Sequence, residues 1–134
     1  MTLDLNKTLQ QLDGQNFGKS SDESHLVTTI QQLRNMPLKD FSAEDLRMVI
    51  GQNFNLDVLI PLALERLKVD ILTEGDFYPG DLLKVVLDCD ARYWTSHREQ
   101  WVTLIDLYAL HNSVFESDNA YRQIRRSFEL FEKI

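Results

Sequence analysis

The chain of 134 residues has one cysteine, Cys89. No disulfide can form within it, which suits a reducing compartment. Long apolar runs are also missing. The longest, Val58 to Leu64, falls far short of the ~18–20 residues needed to cross a bilayer. The opening stretch, "MTLDLNKTLQQLDG", has neither the basic nor the apolar segment of a signal peptide. A cytoplasmic location away from membranes is expected. Basic residues are outnumbered, 14 against 21 acids, for a net charge of −7 and a pI near 4.8. Such a chain repels nucleic acid and anionic membrane and attracts basic partners. With 43% hydrophobic residues and 26% charged, it reads as one globular domain over residues 1–134 with a real core.

The residues of catalysis are equally scarce. Three histidines, His25, His97 and His111, include no pair at the i, i+4 spacing of a zinc-binding helix. His97 and His111 would lie ~21 Å apart on a single helix, too far to share an ion, and both read as surface or cap residues. Cys89 has no companion at a zinc-ligand spacing and no signature of an activated thiol. No G-x-S-x-G and no phosphate-binding glycine loop occur. A calcium loop starting at Asp70 would need oxygen ligands at positions 3 and 5 and Gly at 6, but Leu72 stands at position 3. Adjacent carboxylates such as Glu74/Asp76 and Asp88/Asp90 are what an acidic surface supplies without catalysis. No metal, no cofactor and no enzymatic activity are expected.

What the chain does carry is helical periodicity. Leu5, Leu9 and Leu12 recur at i, i+4, i+7 and stop at Gly14; a polar, flexible loop follows to Ser24. Leu26, Ile30 and Leu33 mark a second helix closed by Pro37. "FSAEDL" is a helix start, with Ser42 as N-cap, Asp45 three residues on, and Phe41 and Leu46 in staple positions. The helix opening at Asn55 is apolar around most of its circumference, and Pro61 is expected to kink or split it. "DLLKVVL" reads as a short buried helix, because no run alternates with period 2 to pair with it as a strand. "SHRE", Ser96 to Glu99, matches a second capping box, and the helix behind it presents Trp101, Ile105, Tyr108 and Ala109. Ser117 or Asp118 would cap a last helix with the stripe Tyr121, Ile124, Phe128 and Phe131. The expected fold is all-α, about seven helices, the C-terminal ones over about 97–131.

Between Asp70 and Asp90 stand six acids and a single base, Lys84. Tyr78-Pro79-Gly80-Asp81 fits a type II turn, and Asp81 and Asp90 would each cap the helix that follows. Turn and caps leave Glu74, Asp76 and the pair Phe77-Tyr78 unexplained. An acidic loop bearing aromatics suits a protein–protein interface. Glu74, Asp76, Tyr78, Asp88 and Asp90 are the candidate contact residues.

An ordered series over residues 33–101 resembles the helical immunity proteins of bacterial contact-dependent growth inhibition (CDI). It comprises "NMPL" at Asn35–Leu38, "EDLRMVIGQ" at Glu44–Gln52, "LIPLALERL" at Leu59–Leu67, "EGDFYPGDLL" at Glu74–Leu83 and "RYWTSH" at Arg92–His97. The resemblance implies a non-enzymatic cytoplasmic protein that binds and neutralises the C-terminal toxin domain of a CDI effector, as a monomer in a 1:1 complex. Many such toxins are nucleases, and an acidic inhibitor would occlude a basic substrate channel. The alternative is a helical adaptor for a different basic partner.

Overall fold

Helix-starting chemistry sets the layout. A computed structural model describes residues 3–14 and 25–134; the rest of the polar loop expected after Gly14, 15–24, lies outside the described residues. These contain nine α-helices, two 3-10 turns and no strand. The all-α expectation holds, and the larger helix count comes from short segments at the connections.

The first helix, α1 (Leu9–Asp13), is shorter than its leucines suggested. Thr8 and Gln11 form a capping box that starts it after Leu5, so only Leu9 of the three leucines is buried. Gly14 ends it with φ 66°, the left-handed conformation that glycine adopts without strain. In α2 (His25–Arg34) Ile30 and Leu33 face inward, whereas Leu26, one turn earlier, is exposed. Arg34 is the buried polar residue here. Its guanidinium pairs with Asp13 at 2.6 Å and donates to Asn55 Oδ1 at 3.0 Å.

The Ser42 capping box forms as expected, with Ser42 Oγ accepting from Asp45 N at 3.1 Å and Asp45 Oδ2 from Ser42 N at 2.9 Å. Phe41 and Leu46 are both buried beside it. It opens α3 (Ala43–Gly51), which packs against α4 (Leu56–Val69) and α5 (Asp81–Asp88). Pro61 does not split α4, which runs unbroken for 14 residues. The N–H that Pro61 lacks would have bonded the Asp57 carbonyl, and Asp57 is exposed on the first turn, where water can replace the donor. Asn55 does not cap α4 with its side chain, which instead bridges Arg34 and Asp13.

Asp90 caps α6 (Ala91–Ser96) through Arg92 N. The second expected capping box is absent: Ser96 is the last residue of α6, and His97 is the junction to α7 (Arg98–Leu110). The His97 ring stacks on Tyr93 at 3.9 Å, with Nδ1 2.7 Å from the Tyr93 carbonyl. In α7 the inward positions are Leu104 and Tyr108, with Trp101 and Ile105 half-buried and Ala109 exposed. After α8 (Asn112–Glu116), Asp118 caps a 3-10 turn over Asn119–Tyr121 that feeds α9 (Arg122–Phe131). Ile124 and Phe131 enter the core from α9, and Phe131 meets Trp94, the largest fully buried side chain, edge-on at 4.9 Å. Burying each large apolar side chain of this cluster stabilises the fold by ~1.5–3 kcal/mol.

Candidate functional site

The stretch 70–80 joins α4 to α5 and is tied down at almost every residue. Asp70 Oδ1 accepts from Leu72 N at 2.9 Å, and Gly80 N donates to Leu72 O at 3.1 Å. The expected type II turn is present. Asp81 N donates to Tyr78 O at 3.1 Å, and Gly80 sits at φ 91°, ψ 3°. Asp81 is not the N-cap, however. Gly80 occupies that position, and the Asp81 carboxylate turns back into the loop to accept from Gly75 N at 2.6 Å and Phe77 N at 3.0 Å. Asp81 is buried, and these bonds replace the water it has lost.

A second carboxylate reaches the loop from α3. Glu44 Oε1 accepts from Asp76 N at 2.9 Å while Arg47 forks onto Glu44 at 2.6 and 2.5 Å. Arg47 Nε also lies 4.0 Å from Asp81 Oδ2. The Arg47 hydrogen bonds hold the Glu44 carboxyl below its ordinary range against the opposing effect of burial, with the Asp76 N–H adding to them. Glu44 in turn raises Arg47, so the pair stays charged. Gly75 fits only because it lacks a side chain. A Cβ there would stand 2.5 Å from Glu44 Oε1 and 3.1 Å from an Asp81 oxygen. Two acids, one arginine and three backbone N–H groups therefore fix the conformation of "EGDFYPGD".

Of the five candidate contact residues, the structure brings together three. Glu74, Asp76 and Tyr78 share this loop and are exposed. Neither the Glu74 nor the Asp76 carboxylate has an ion pair among the described residues. Partial burial raises the Tyr78 phenol. Asp88 and Asp90 lie at the other end of α5, about 12 Å along its axis. Asp88 pairs with Lys84, and Asp90 caps α6 and pairs with Arg92 at 2.7 Å, which lowers its carboxyl. Those two charges have close ion partners; among the described residues Glu74 has no ion pair, and Asp76 acts on Arg47 only at longer range.

Three residues that matter to this site were not among the candidates. Glu44 and Arg47 look in sequence like any i, i+3 helix pair. Phe77 stands out beside Tyr78 in the sequence but is not chosen there as a contact; it is 68% exposed, with the Arg47 guanidinium 4.4 Å from its ring centre.

Among the described residues no group of three or more His, Cys, Asp or Glu is arranged to hold a metal ion. Burial pushes the Cys89 thiol up to about 12, only partly opposed by the adjacent Trp94 N–H. No helix is long and apolar enough to cross a membrane. The opposite charge gathers on α9, where Arg122, Gln123, Arg125, Arg126 and Glu129 line a shallow cleft of about 570 Å³. Arg125 is committed to the Phe115 and Asp118 carbonyls; Arg122 and Arg126 are exposed.

No curated protein and no solved structure matches the chain significantly. A family profile for CDI immunity proteins matches residues 11–104, from α1 into α7 and across the whole of the loop. Covering more than two-thirds of the sequence, that match places the role of the protein in toxin neutralisation: the chain belongs to the family of CDI immunity proteins.

Proposed function

We propose that the protein acts in the cytoplasm as a non-enzymatic binder of its cognate toxin domain, forming a 1:1 complex. The toxin is of the nuclease type, and the acidic loop covers its basic substrate channel. The carrying observation is the pair of unpaired carboxylates, Glu74 and Asp76, on a loop whose backbone is already fixed. Placed there, they stand in for substrate phosphates, and the net charge of −7 speeds the encounter. Preorganisation means that little loop entropy is lost on binding. Asp88 and Asp90 extend the acidic face beyond α5. An interface of roughly 1,600 Å² would suffice for tight binding.

Co-expression with a cognate CDI toxin domain tests the role. Cells that die as fast with the protein as without it would rule out immunity toward that domain. The acidic mechanism has its own measurement. Glu74→Gln and Asp76→Asn, combined with Asp88→Asn and Asp90→Asn, are expected to slow association and flatten the dependence of affinity on salt. An unchanged salt slope would place the interface elsewhere, with the Arg122/Arg126 face of α9 first in line.

A further inference from the structure

Phe77 is the least buried aromatic side chain of the loop, and the fold holds it there. Its own N–H is bound to Asp81 at 3.0 Å, and that of its neighbour Asp76 to Glu44 at 2.9 Å. The ring lies over the Arg47 guanidinium at 4.4 Å, a contact that fixes one face and leaves the rest to water. A ring serving only to shield the Glu44–Arg47 ion pair would be largely covered, whereas 68% of this residue's surface is exposed. Tyr78, 41% exposed, and the exposed Pro79 continue the apolar tip, with the free carboxylates of Glu74 and Asp76 beside it.

We propose that Phe77 is the anchor of the toxin interface, inserting into an apolar pocket on the toxin domain whose rim carries Lys or Arg side chains; this rests on the immunity reading above. A rigid, exposed aromatic with little entropy left to lose is the kind of residue that dominates a protein interface. The flanking charges select the occupant. An anionic bilayer would be repelled by Glu74 and Asp76 and by the net charge. A second copy docking tip to tip would oppose the same carboxylates. A basic rim around an apolar pocket matches both the ring and its surround.

The division of labour is measurable with the cognate CDI toxin domain as probe. Phe77→Ala is expected to weaken binding at least about 30-fold, through faster dissociation. Its salt slope should stay at the wild-type value and its thermal midpoint close to it. Glu74→Gln with Asp76→Asn should do the reverse, slowing association and flattening the slope. Phe77→Trp should retain most of the affinity. A Phe77→Ala variant that binds within threefold of wild type overturns the anchor and leaves the immunity role standing. Failure of the wild-type chain to bind or protect overturns both. If Phe77→Ala destabilises the fold, a photo-crosslinking phenylalanine analogue at position 77 decides: a covalent adduct with the toxin domain is expected, and its absence overturns the anchor.

Discussion

At the scale of single residues, two glycines show that similar backbone angles can have different consequences. Gly14 and Gly80 both have positive φ, 66° and 91°. A Cβ on Gly14 would meet nothing within 4 Å, while one on Gly80 would come within 2.7 Å of Ile124 Cδ1 on α9. Gly14→Ala should therefore cost only the left-handed backbone penalty, ~1–2 kcal/mol. Gly80→Ala adds a collision with a buried side chain and should cost more, by ~1–3 kcal/mol. Denaturant midpoints of the two variants, at unchanged slope, measure the difference. Ser42 and Asp90 were legible as caps because an N-cap needs only neighbours two or three residues away. Asp81 was not, since its choice between capping α5 and gripping Gly75 and Phe77 depends on where α3 delivers Glu44 and Arg47.

At the scale of elements, α9 lies outside the residues that define the family yet completes the core. Its Phe131 touches Trp94 edge-on at 4.9 Å and lies 6.1 Å from Trp101, whose indole N–H donates to the Phe131 carbonyl at 3.1 Å. Phe131→Ala is expected to destabilise the fold by ~3–5 kcal/mol, read by chemical denaturation. A loss under 1 kcal/mol would mean that α9 is an appendage. Of the stripe read at helical spacing, Ile124 and Phe131 are buried and Phe128 is half-buried on α9, while Tyr121 falls in the 3-10 turn before it. In α7 the same reasoning picked Ala109 and missed Leu104, since a 13-residue helix with apolar residues at many positions does not fix its own rotation. Packing against α4 and α6 does. In sequence Phe77 stands out only as one of an aromatic pair in an acidic loop; that its ring, rather than that of Tyr78, is the one held furthest outward is decided by tertiary structure.

At the scale of the whole molecule, acid and alkali should each find a different weak point. Glu44 has its carboxyl lowered in the fold from the ordinary value of 4.5. Its contribution is complete above that value and is lost as pH falls through the folded one. Burial raises the Cys89 thiol from 9.0, and the Tyr93 and Tyr108 phenols from 10.0, to about 12. Their contribution is complete below 9.0, the lowest of these ordinary values, and is lost as pH rises toward 12. Thermal midpoints should hold level between these limits and fall beyond each. Glu44→Gln should soften the acid fall and leave the alkaline one unchanged; equal acid profiles for variant and wild type would remove Glu44 from the account. The contact between Gly80 and Ile124 has one more consequence, for engineering. The acidic loop proposed as the toxin contact is shaped on its hidden side by α9, through Ile124. A transplant that moves the loop to a relative without its matching α9 side chain would carry the residues across but not their conformation.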